Sequence, residues 1–98
     1  MSHRAYHPFL MVKKPPVQSD VLQRQFGERI RELRRARGIG SQEELGTLTG
    51  LHRTYIGRVE RGETNATLEN ISILAKALGV SLAELFGPFD KKDGNACP

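Results

Sequence analysis

Tryptophan is absent, aromatic residues make up only 6% of the chain, and cysteine occurs once, as Cys97. Each shortage excludes something. A single thiol forms no internal disulfide, so the chain is not a stapled secreted scaffold, and a reducing, cytoplasmic setting is expected. With few large rings, a 98-residue chain has to build its core from Leu, Ile, Val and Ala. That suffices for a compact helical unit and leaves no room for a deep substrate pocket. No apolar run approaches the roughly 18 residues of a membrane span. The stretch Pro8 to Val12 is too short for a signal-peptide core and runs straight into Lys13, Lys14 and two prolines.

Catalytic and metal chemistry fail on inventory. Three histidines in separate regions and one cysteine offer no zinc-ligand spacing. There is no glycine-rich phosphate loop and no nucleophile–base pair. We therefore expect neither an enzyme nor a cofactor, a metal or a small-molecule ligand. Acidic residues are also in the minority: 11 Asp and Glu against 15 Lys and Arg give a net charge of +4. A basic excess points to a polyanionic partner, nucleic acid first and an anionic membrane second.

Residues 1–19 show no period of 2 or 3.6 and read as a flexible arm, either a plain leader or, through Arg4, Lys13 and Lys14, a strand that reaches along DNA. Order is expected over 20–89 and a disordered tail over 90–98. Asp20 with Gln23 has the form of a capping box, and Leu22, Phe26, Ile30 and Leu33 lay out one apolar face that ends at Gly38. Ser41 caps a second, short helix that stops at Gly50, and a third runs from about His52 to Arg61. Thr67 opens a fourth, with the stripe Leu68, Ile71, Leu74, Ala75 and Leu78. Ser81 and Glu84 box a fifth, Leu82 to Phe86, closed by Gly87-Pro88. No segment alternates long enough to be a strand. The expected fold is all-α, five short helices.

The informative run is Gln42 to Arg61. Two short helices joined at a tight turn holding Gly50 have the form of a helix-turn-helix. Leu45, Leu48, Leu51, Ile56 and Val59 are spaced to point inward, and Gly46 is small enough for a close approach. The third helix then turns His52, Arg53, Thr54, Gly57 and Arg58 outward. A guanidinium and a hydroxyl on its first turn suit base edges in a major groove. His52 has a second reading as a plain helix-start residue, and Arg53 as a solvated surface arginine.

The blocks I-x-x-L-R (Ile30 to Arg34), S-Q-E-E-L (Ser41 to Leu45), G-L-H-R-T-Y-I (Gly50 to Ile56), E-R-G-E (Glu60 to Glu63) and A-L-G-V-S (Ala77 to Ser81) resemble the lambda-repressor/Cro-like helix-turn-helix family. Within it, Leu51 to Asn65 is similar to the small controller proteins of restriction–modification systems. The resemblance covers about residues 21–87. It implies a transcriptional regulator in which Arg53 and Thr54 read bases beside His52 and Arg58. It also implies that Gln42 bonds a phosphate, that Tyr55 and Asn65 touch the backbone, and that Arg34 and Glu60 form a buried ion pair. Tyr55 has a bland alternative, packing at the core edge. One departure stands out: Gly38 to Ser41 is one residue longer than the usual link, which bears on where Gln42 falls.

One recognition helix reads too few base pairs to select a site, so a homodimer on a short, roughly palindromic double-stranded operator is expected. Its interface is sought in Val80, Leu82, Leu85, Phe86 and Phe89. Alternatives are an antitoxin or phage-type repressor of the same fold, or a helix-turn-helix interaction module that has lost DNA. Against the module stand Arg53, Thr54 and Arg58, where apolar anchors would be expected.

Overall fold

The structure, a computed structural model, describes residues 16–92, with side chains for 20–89. Among them the chain forms five helices and no strand: α1 (Pro16–Ala36), α2 (Gln42–Thr49), α3 (Arg53–Glu60), α4 (Leu68–Leu78) and α5 (Leu82–Lys92). None of these is by itself long and apolar enough to cross a membrane. The all-α architecture matches the expectation. Most of the expected arm and most of the expected tail lie outside the described residues.

Local chemistry explains the inner boundaries. The Ser41 side chain accepts from the Glu44 amide at 3.0 Å, and Thr67 does the same for Asn70 at 3.1 Å. Ser81 and Glu84 exchange two 3.0 Å bonds, a complete capping box. Gly50 ends α2 at φ 79°, a left-handed conformation in which a Cβ would be strained. The longer link between α1 and α2 is absorbed by a Schellman turn. The Ile39 amide donates to the Arg34 carbonyl and the Gly38 amide to that of Arg35, both at 3.0 Å, and the Ile39 side chain drops into the core. Gln42 consequently falls on the first residue of α2.

Both outer boundaries differ from the sequence reading. Helix α1 begins at Pro16, so residues 16–19 belong to it and not to the arm. Proline suits a first helical position, where its missing N–H has no partner to lose. Helix α5 does not stop at Gly87-Pro88 but continues to Lys92. Gly87 lacks the Cβ that would crowd the proline ring in a helical backbone. The hydrogen bond that Pro88 cannot donate to the Glu84 carbonyl comes from α1 instead: Arg29 Nη2 donates there at 2.6 Å and Arg29 Nε to the Leu85 carbonyl at 2.9 Å.

The core gathers Phe26, Ile30, Leu33, Ile39, Leu45, Ile56, Val59, Leu74, Ala75, Leu78 and Leu85. Three residues expected inside are exposed: Leu22, Leu48 and Leu68, the last at 77%. Leu68 is the first residue of α4, where the apolar stripe runs past its packing partner, and Leu22 lies in the second turn of α1, on the edge of a surface groove with Phe26, Ile71 and Phe86. Leu48, on the two-turn α2, is 57% exposed. Leu85 departs from its expected role as well. It is fully buried in the monomer's own core and offers no surface to a second copy. Phe89, expected to have little core to reach, is half-buried, edge-on to Phe86 at 5.2 Å. Phe86 in turn stacks on Phe26 at 5.8 Å.

Helix α3 packs against both α1 and α2. Two glycines permit this. A Cβ on Gly46 would lie 2.7 Å from the Leu51 carbonyl oxygen, so α2 lies directly against the turn that starts α3. A Cβ on Gly27, mid-way along α1, would lie 2.3 Å from the Val59 carbonyl oxygen at the other end of α3.

Candidate nucleic-acid interface

The first turn of α3 is presented outward, with the Thr54 amide capped. His52 is the N-cap, its Nδ1 accepting from the Thr54 amide at 3.0 Å. Accepting there requires an unprotonated Nδ1, so the neutral ring carries its proton on Nε2. Arg53, Thr54 and Arg58 are exposed. His52 is thus the helix-start residue of its plainer reading, capping α3 through Nδ1.

Beneath this surface lies a polar knot on Glu60, which is 3% exposed. Arg34 forks onto it, Nε to Oε2 at 2.7 Å and Nη2 to Oε1 at 3.2 Å, and sends Nη1 to the Ile39 carbonyl at 3.0 Å. Arg31 reaches Oε1 at 3.4 Å, and Gln42 Nε2 donates to it at 3.0 Å. Burial pushes the Glu60 carboxyl up. Hydrogen bonds from Arg34 and Gln42, the Arg34 charge and the Arg31 bond outweigh that push, and the group titrates below its ordinary 4.5. The knot joins α1, the start of α2 and the end of α3, and so fixes the angle at which α3 is presented. Gln42 is therefore a structural partner of Glu60. Of its remaining polar atoms only the second Nε2 hydrogen can donate, the oxygen being an acceptor.

The remaining positions divide. The Tyr55 ring packs on the core while its hydroxyl accepts from Asn70 Nδ2 at 3.1 Å, which favours the packing reading. Asn65 sits apart from the α3 face, in the loop before α4, on the rim of a groove lined by Leu22, Phe26, Ile71 and Phe86. Two further grooves flank α3. One is lined by Glu43, Thr47, His52 and Arg53, the other by Ser41, Gln42, Arg53, Thr54, Gly57 and Arg61. Arg61 was missing from the sequence reading, although Arg53, Gly57 and Arg61 recur at i, i+4 and i+8, the spacing of one helical face. Among the described residues, no group of three His, Cys, Asp or Glu side chains is placed to hold a metal ion.

The helix-turn-helix family pattern matches residues 30–85, and the chain belongs to that family. Its relatives include the control protein C.SmaI of Serratia marcescens, 52% identical over 60 residues that span 61% of this chain and 70% of the relative. The control protein C.BamHI of Bacillus amyloliquefaciens is 45% identical, over 61% of this chain and 74% of its own. Among solved structures, the restriction–modification controller protein C.AhdI of Aeromonas hydrophila superposes with a TM-score of 0.65 at 51% identity. The match covers 68% of this chain and 96% of that one.

Proposed function

We infer that this protein is a sequence-specific DNA-binding transcriptional regulator of the restriction–modification control type. The observation that carries the reading is the first turn of α3: His52, Arg53 and Thr54 stand exposed on a helix locked from behind by the Glu60 knot. A guanidinium held on a rigid element is suited to bidentate bonds with a guanine edge. Gln42, Arg58 and Arg61 surround it with donors for phosphates, and the similarity to the control proteins supports the same role. No cofactor or small-molecule ligand enters this account, and the protein acts in the cytoplasm, where its DNA lies.

The working unit is a homodimer. The surface that supports it is reduced from the sequence expectation to the partly exposed Val80, Leu82, Phe86 and Phe89, of which Leu82 is 43% exposed. A two-fold contact through this face would set two α3 helices on one side.

Selection of bound duplexes from a random pool tests both parts. The expected product is a site with two inverted half-sites about one helical turn, roughly 34–36 Å, apart. A pool that never converges contradicts sequence-specific reading, and convergence on one short half-site contradicts the dimer.

A further inference from the structure

Helix α3 ends in a Schellman turn: the Glu63 amide donates to the Arg58 carbonyl at 2.8 Å and the Gly62 amide to that of Val59 at 3.0 Å. Gly62 adopts φ 75°, and a Cβ there would lie 2.8 Å from the Arg24 Cα, so the turn is wedged against α1. This cap fixes the backbone of Glu63 just beyond Arg61. The two side chains meet, Arg61 Nε to Glu63 Oε2 at 3.1 Å, with each about half exposed.

The place where they meet is not neutral ground. Arg61 is exposed two turns on from Arg53, and its Nη1 lies 3.0 Å from where a Cβ on the buried Gly57 between them would stand. The missing side chain at Gly57 lets the guanidinium lie across the helix, beside Gln42 and Thr54, in one groove. A cation there borders the face that the DNA-binding reading turns toward the duplex. Its charge is already matched by a carboxylate from its own chain.

We propose that Arg61 is a phosphate contact of this surface and that Glu63 is its internal competitor, holding the guanidinium until a backbone phosphate takes the carboxylate's place. The proposal rests on the DNA-binding reading above and adds to it a residue that sets affinity. The exchange is feasible because both groups are open to solvent, each about half exposed. Each group favours its charged form in the other's presence: the hydrogen bond from Arg61 lowers the Glu63 carboxyl, and the bond to Glu63 raises the Arg61 guanidinium. Salt weakens the internal pair as it weakens the phosphate contact. Part of the salt dependence of DNA binding is therefore cancelled in the wild type.

The test is a binding cycle by fluorescence anisotropy with the full chain, on the duplex selected above and on a scrambled duplex. The proteins are the wild type, Glu63→Gln, Arg61→Gln and the double variant. Glu63→Gln is expected to bind about threefold more tightly, within the range of exposed ion pairs. The gain should be equal on both duplexes, because phosphates carry no sequence. The slope of log affinity against log salt should steepen by about one. In the Arg61→Gln background the Glu63 substitution should change nothing. A gain that persists without Arg61 shows that the carboxylate merely repels DNA and overturns the proposal, as does no gain at all. A wild type that binds neither duplex would instead refute the DNA-binding reading itself.

Discussion

Glu60→Ala is expected to lower folding stability by about 3–5 kcal/mol, because it strands a buried guanidinium. For a domain of this size that is a fall in Tm of more than about 10 °C. Arg34 would keep its bond to the Ile39 carbonyl and lose both bonds to the carboxylate, with its side chain only 6% exposed. Gln42 would lose its acceptor as well. The same pair makes stability depend on acid. The folded carboxyl titrates below its ordinary 4.5, so its contribution is fully present above that value and is lost as the pH falls through the folded one. Thermal melts of wild type and variant at pH 7 should differ widely and should converge as the pH drops below 4.5. Equal melting at pH 7 would show that the knot is not what holds α3 in place.

Gly27→Ala is expected to be the other costly change, and its sign is diagnostic. In an exposed helix, glycine to alanine stabilises by about 1 kcal/mol. Here the new methyl would stand 2.3 Å from the Val59 carbonyl oxygen and 2.6 Å from that of Glu60. Both atoms are backbone, so α1 and α3 must separate; overpacking of this kind costs about 1–3 kcal/mol or more. The separation also pulls Glu60 from Arg34 and tilts α3, so DNA affinity should fall alongside stability. Denaturant unfolding with a midpoint at or above that of the wild type would place the two helices further apart than the structure does.

The inner helix boundaries were legible because their determinants are local. Ser41, Thr67 and Ser81 cap the amides three residues on, and Gly50 and Gly79 supply the left-handed turns. What the sequence concealed was decided at a distance. Nothing near Pro88 says that the helix survives it; the donor that replaces its missing N–H sits on Arg29, 55 residues earlier than Glu84. Periodicity marked Leu22, Leu48 and Leu68 as one kind with Ile30 and Leu45, yet it cannot say where a stripe outruns its partner. Gly27, inside a helical pattern, gave no sign that another backbone lies against it. In the candidate interface, the exposed positions His52, Arg53, Thr54 and Arg58 follow from the helical period, whereas Gly57, expected outward with them, is buried beneath the Gln42 and Arg61 side chains. The engagement of Gln42 by Glu60 and of Tyr55 by Asn70 required the third dimension.

The proposed base-reading surface is the exposed first turn of α3, with Arg53 foremost. The most direct measurement is the affinity of Arg53→Ala, beside that of Gln42→Ala, for the selected duplex and its single-base variants, at a temperature where both remain folded. Arg53→Ala should cost about 1–3 kcal/mol on the selected duplex and lose discrimination at one base position, whereas Gln42→Ala should weaken every duplex alike. If Arg53→Ala weakened selected and scrambled duplexes equally, the guanidinium would be a phosphate contact and the account of this surface would be wrong.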